Sequence, residues 1–200
     1  MTSGAGRDAY ERARKAVDVG RFDEALAAAE EAHRAEPEDG PIRELYVGLL
    51  LARGVKLAAA ARDLRRQDIV DRNIRVGDEF EDGERVRDAY GKALEAFDAV
   101  LALEPDNEKA MMMKASALHR FDRAGRRDEA LTLLRKISEA HPQNRQVRLV
   151  IRKVEKRCED CSDTGFCPYC GGRGSRTRLG LKSKCSKCWG QGICLTCGVL

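Results

Sequence analysis

All eight cysteines of this 200-residue chain lie between Cys158 and Cys197. They form four Cys-x-x-Cys knuckles: Cys158 with Cys161, Cys167 with Cys170, Cys185 with Cys188, and Cys194 with Cys197. Two residues between thiolates let a tight turn aim both sulfurs at one ion, and two such turns complete a tetrahedral four-sulfur site. Eight cysteines in four pairs therefore predict two zinc ions. In a reducing cytosol this spacing reads as metal ligation rather than a disulfide framework. The spacers of five, fourteen and five residues are symmetric about their centre. That symmetry suits a nested antiparallel hairpin, in which the second knuckle meets the third and the first meets the fourth. Sequential pairing across each five-residue spacer is the alternative.

Glycines accompany the knuckles. The phrases Cys-x-x-Cys-x-Gly-x-Gly at 167–174 and 185–192 resemble the cysteine-rich zinc domain of DnaJ-type (Hsp40) chaperones. The first knuckle departs from the phrase, with Asp163 in the first glycine place. The resemblance implies the nested pairing: Cys158, Cys161, Cys194 and Cys197 on one zinc, and Cys167, Cys170, Cys185 and Cys188 on the other. It also implies a module that binds a second partner or an unfolded client. The apolar residues of this stretch (Phe166, Tyr169, Leu179, Leu181, Trp189, Ile193 and Leu195) are too few for a self-sufficient core, so metal must supply folding free energy. No neighbouring His or Glu suggests an open coordination position, and the chain is expected not to be an enzyme.

Two other uses of the segment follow from its residues. Arg173, Arg176, Arg178, Lys182 and Lys184 lie between knuckles and could meet the phosphates of a nucleic acid. Cys167-Pro168-Tyr169-Cys170 resembles a redox dipeptide of thiol–disulfide enzymes, although the βαβ context such enzymes need is absent from the pattern.

The elements that must carry this segment repeat themselves. Gly20-Arg21-Phe22-Asp23-Glu24-Ala25-Leu26 is echoed by Tyr90-Gly91-Lys92-Ala93-Leu94 and by Gly125-Arg126-Arg127-Asp128-Glu129-Ala130-Leu131. In each, the alanine precedes a proline by twelve residues, at Pro37, Pro105 and Pro142. Small residues where helices must approach, apolar residues at three- and four-residue intervals, and a proline stop describe packed helical hairpins. The pattern resembles the tetratricopeptide repeat over residues 7–144, which implies an array that binds protein or peptide partners. Positions where some members of that family clamp a chaperone carboxylate hold Tyr10, Arg14 and Leu45, so that clamp is not expected. Between Pro41 and Val76 one long helix is expected, then a turn from Gly77 to Gly83 and a second long helix to Glu104. A degenerate repeat turning at Gly54 is the alternative. At least one of Met111, Met112 and Met113 should face the core. His33, His119 and His141 read as polar helix or turn positions without chemistry.

The expected fold class is thus an all-α helical-repeat domain followed by a small zinc-stabilised β-hairpin domain. Residues 1–6 should be disordered, 7–157 form the repeats with a capping helix over 143–157, and 158–200 form the zinc domain. From residue 151 onward ten bases face four acids, a balance of +6 that leaves −2 on the first 150 residues. No apolar run approaches the roughly 20 residues a membrane span needs, and the N-terminus lacks a secretory signal. A cytoplasmic protein with protein partners and no membrane partner is the expectation.

Overall fold

The computed structural model describes residues 4–74, 81–123 and 125–198. The element order is α1 (Gly4–Asp18), α2 (Phe22–Ala35), α3 (Gly40–Asp71), α4 (Glu84–Leu103), α5 (Glu108–Phe121), α6 (Arg127–Ala140), α7 (Arg145–Glu155), β1 (Ser175–Arg178) and β2 (Leu181–Lys184). Helices α1 and α2, α3 and α4, and α5 and α6 pack pairwise, and α7 covers α6.

Each piece of the repeated phrase has a mechanical role. Ala25, Ala93 and Ala130 are wholly buried, so a longer side chain there would hold neighbouring helices apart. Gly20 closes α1 at φ +74°, which lets the Arg21 amide reach back to Ala16 O at 2.8 Å. The residue two places after each proline starts the next helix. Asp39, Asn107 and Asn144 accept from the amides of Ile42 (3.0 Å), Ala110 (2.9 Å) and Val147 (3.2 Å), satisfying donors that a helix end otherwise leaves unpaired.

Helix α3 runs unbroken for 32 residues, a rod of about 48 Å. Val47, Leu50 and Leu51 on its first half join Ala28 and Ala29 of α2 in the main core. Ala61 on its second half packs with Val86 and Tyr90 of α4. No turn occurs at Gly54; the glycine serves packing instead. A Cβ there would fall 2.5 Å from Phe97 Cε1, and Phe97 is only 1% exposed. Gly54→Ala should therefore cost about 1–3 kcal/mol by overpacking. Gly48→Ala and Gly91→Ala meet nothing within 4 Å and should gain about 0.5–1 kcal/mol from helix propensity. Opposite shifts in thermal midpoint for the same chemical change are the measurable outcome.

The expected turn from Gly77 to Gly83 falls largely on residues 75–80, outside the described residues; Gly83 is the N-cap of α4. Residues 4–6, expected to be disordered, are instead the first turn of α1, because Gly6 packs beneath the Glu36 side chain and Ala9, Ala13 and Ala16 continue one buried stripe. Met1, Thr2 and Ser3 lie outside the described residues. Met111 is buried against Ile137 and Val147. Among the described residues no helix is long and apolar enough to cross a membrane.

Candidate metal centres

After α7 the chain folds into a long, interrupted hairpin. Phe166 faces Ile193 in an antiparallel bridge, tied by Cys167 N to Gly192 O and Cys194 N to Gly165 O, both 2.9 Å. Further along, Ser175 faces Lys184, Arg176 faces Ser183, Thr177 faces Lys182 and Arg178 faces Leu181. Both parts share one register, with eight residues on each side between Phe166–Ile193 and Ser175–Lys184. Equal lengths loop out as knuckles and the pairing resumes in step. This is the geometry behind the symmetric spacers.

The folding brings the cysteines into two buried groups of four. Cys158, Cys161, Cys194 and Cys197 form an outer site, and Cys167, Cys170, Cys185 and Cys188 an inner one, with each set of sulfurs within 4.8 Å of one another. Neighbouring sulfurs lie 3.9 Å apart for Cys158 and Cys194, 3.5 Å for Cys161 and Cys197, and 3.7 Å for Cys170 and Cys188. A tetrahedral ion with bonds of about 2.3 Å requires sulfurs about 3.8 Å apart. The donor set suits such an ion.

The glycine phrase orders the shell around the sulfurs. At the inner site the Gly174 amide donates to Cys170 Sγ and the Gly192 amide to Cys188 Sγ, both at 3.3 Å. In each case the final glycine of the phrase bonds the second cysteine of its own knuckle. Gly192 admits no side chain, since a Cβ would sit 2.2 Å from Gly172 O and φ is +74°. The first knuckle explains its own departure. Asp163 holds φ +63°, a left-handed conformation that Asp tolerates better than most residues. Its carboxylate accepts from Cys158 N at 3.3 Å and pairs with Arg123 and Arg127.

Those arginines belong to the repeats, and through them the outer site is attached to the helices. Arg123, just beyond α5, donates from Nη1 to Cys197 Sγ at 3.0 Å and lies 3.7 Å from Asp163 Oδ1. His119 on α5 is buried, with Nε2 3.3 Å from Cys197 O. The expectation that it occupies a polar position is corrected here: Ala115, Leu118 and His119 share one buried face of α5. Burial, and then the Arg123 charge, push its imidazole down to about 4. The ring is neutral at pH 7, and Nε2 must carry the proton to donate to a carbonyl.

The second half of α3 completes the seam. Ile69 lies beneath Gly172, Arg66 Nη1 donates to Gly190 O at 2.5 Å, and the Arg65 guanidinium stacks 5.3 Å over the Phe166 ring. Arg173 reaches back to Ile74 O (2.8 Å) and Asn73 Oδ1 (3.1 Å). Of the five basic residues considered for phosphate contact, Arg173 is thus engaged in docking.

The thiols are not equivalent. Burial pushes those of Cys161, Cys167, Cys170 and Cys197 up. Burial acts in the same sense on Cys185, but amide hydrogen bonds from Cys188 and Lys187 outweigh it and bring that thiol down to about 7. Cys194 is lowered against its burial in the same way, by the amides of Cys197 and Thr196. Each site thus holds one thiol shifted toward ionisation and two shifted away from it, and full ionisation of four adjacent sulfurs calls for a cation among them.

The tetratricopeptide-repeat family model matches residues 87–154. The match covers α4 to α7, the part of the array whose final hairpin contributes His119 and Arg123. It ends before Cys158, so the likeness of the cysteine segment to DnaJ zinc domains rests on its phrases and spacing. No curated protein matches the chain.

Proposed function

We propose that the chain is a non-enzymatic, co-chaperone-like adaptor of a reducing, cytoplasmic compartment, in which the repeat surface binds one protein partner and a two-zinc, DnaJ-like module holds a second partner or an unfolded client. The observation that carries this reading is the closed character of both sites. Four thiolates would complete each coordination sphere, and among the described residues no His or carboxylate joins either cluster, the pattern of structural rather than catalytic zinc. Soft tetrahedral sulfur sites favour zinc or iron, and a colourless protein with two zinc equivalents is the form proposed. The tetratricopeptide-repeat match supports protein binding by the helices. The test presents a reduced, unfolded model protein to the metal-loaded chain and follows its aggregation by light scattering. Suppression by the loaded chain that is lost in a Cys167→Ser/Cys185→Ser variant supports the client reading. Absence of suppression removes it, and catalytic reduction of insulin disulfides by the loaded chain would replace it with a thiol–disulfide enzyme.

A further inference from the structure

The β1–β2 hairpin projects two kinds of side chain that neither the metal sites nor the docking seam uses. From Thr164 onward the sequence holds six Lys and Arg residues and no Asp or Glu. Arg173 is engaged with Asn73 and Ile74, and Lys187 lies over the Tyr169 ring. The others stand on exposed strands. Residues directly opposite in an antiparallel pair share a face. Lys182 and Lys184 therefore occupy one face, and Arg176 and Arg178 the other, so cations surround the ribbon.

At its tip Leu179 and Gly180 form a two-residue turn with φ of +49° and +79°. Such turns call for Asn, Asp or Gly at both places, and a leucine in this conformation is strained. Leu179 is nevertheless fully exposed (102%), with Leu181 beside it at 76%. No packing among the described residues accounts for this leucine, and strain retained at an exposed position points to a contact outside the chain.

We propose that the hairpin docks end-on to an anionic lipid surface, with Leu179 and Leu181 entering the acyl boundary and Arg176, Arg178, Lys182 and Lys184 meeting the headgroups. The layering carries the choice. An apolar tip with cations one to three residues behind it, about 3–10 Å along the strand, matches an interface into which apolar groups sink about 5–10 Å. Single-stranded nucleic acid would want aromatic platforms among the cations, and the ribbon from 175 to 184 contains none; the exposed rings Tyr169 and Trp189 belong to the inner knuckles behind it. A peptide lying along one face would leave the other pair of cations and the tip unused. The inner site's thiolates lie about 13 Å behind the tip by strand rise, beyond the Debye length of about 8 Å. The proposal departs from the expectation of no membrane partner, which rested on the lack of a spanning segment; surface contact needs none.

The test is co-sedimentation of the full, metal-loaded chain with vesicles of phosphatidylcholine alone or mixed with phosphatidylserine. Binding should require phosphatidylserine and weaken with salt, and Arg178→Ser should weaken it about fivefold. Leu179→Asn supplies the residue the turn prefers, so metal content and thermal midpoint should hold or rise while vesicle binding falls about tenfold. A purely structural role for Leu179 predicts no such loss. Equal binding to both vesicle types, binding to neither, or full binding by Leu179→Asn overturns the proposal. Retention of an RNA or DNA oligonucleotide without vesicle binding would overturn it in favour of nucleic acid.

Discussion

Stripping the metal from the zinc-loaded form proposed above will unfold residues 158–198 while leaving helices α1 to α7 in place. Structural zinc contributes an apparent 10–16 kcal/mol in small tetrathiolate and mixed domains, and nothing else in this segment approaches that figure. Its hairpin strands are exposed on both faces, and a lone two-stranded ribbon is marginal at best in water. Its buried clusters are the two sets of sulfurs themselves. Without a cation each set becomes four crowded sulfurs, and burial pushes two of each, Cys161 and Cys197 or Cys167 and Cys170, toward the protonated form. The helical core is a separate, continuous cluster running from Ala13 through Phe97 to Val154. Chelation should therefore leave helical circular dichroism nearly unchanged while all eight cysteines become reactive to a thiol reagent. The fluorescence of the single tryptophan, Trp189, should change in step, because it follows the knuckle residue Cys188. The helices will not be wholly indifferent: Ile69 loses the cover of Gly172, so the array should melt a few degrees lower. Thiols that stay protected after the metal has gone would contradict the account, since they would reveal a core that the residues do not show.

The parts of this architecture that could be read from sequence are those with short-range causes. Helix stops followed from Pro37, Pro105 and Pro142. Close helix packing followed from the recurring alanines. The grouping of the sulfurs was legible because equal spacers on both sides of a centre fold back in register. What escaped reading depends on partners far along the chain. Ile69 and Arg66 look like ordinary surface residues of a long polar helix, and only the module, more than 100 residues later, gives them a role. Gly54 offered a turn or the middle of a long helix, and its packing role belongs to Phe97, 43 residues away. Asp163 looked like a defect in the glycine phrase because its value lies in Arg123 and Arg127. His119 did carry a local signal: it stands four residues after Ala115 on the buried face of α5, a spacing that could have placed it inside.

Replacing Arg123 with methionine should weaken one metal site and spare the other. Arg123 is 6% exposed, and its guanidinium is the only side-chain donor recorded on a cysteine sulfur from outside the module among the described residues. Met preserves the volume and the apolar stem while removing the charge and the N–H···S bond. Outer-shell bonds of this kind are worth about 10–100-fold in metal affinity, and the loss falls on Cys197, a residue of the outer site. The inner site takes its corresponding bonds from the Gly174 and Gly192 amides, which the substitution leaves alone. Metal release to a chromogenic chelator should then separate into a fast phase of one equivalent and a slow phase at the wild-type rate. Asp163 keeps Arg127 as a partner, so the knuckle stays docked and the effect is not simple detachment. Arg123→Lys tests the same point from the other side: the ammonium restores charge near the thiolate but not the fixed fork of donors, so its fast phase should fall between wild type and Arg123→Met. Equal acceleration of both equivalents would mean that Arg123 only holds the module against the helices. A selective effect means that the outer site draws part of its ligand shell from the repeat array, so that a force or partner acting on α5 is felt at one metal ion and not at the other.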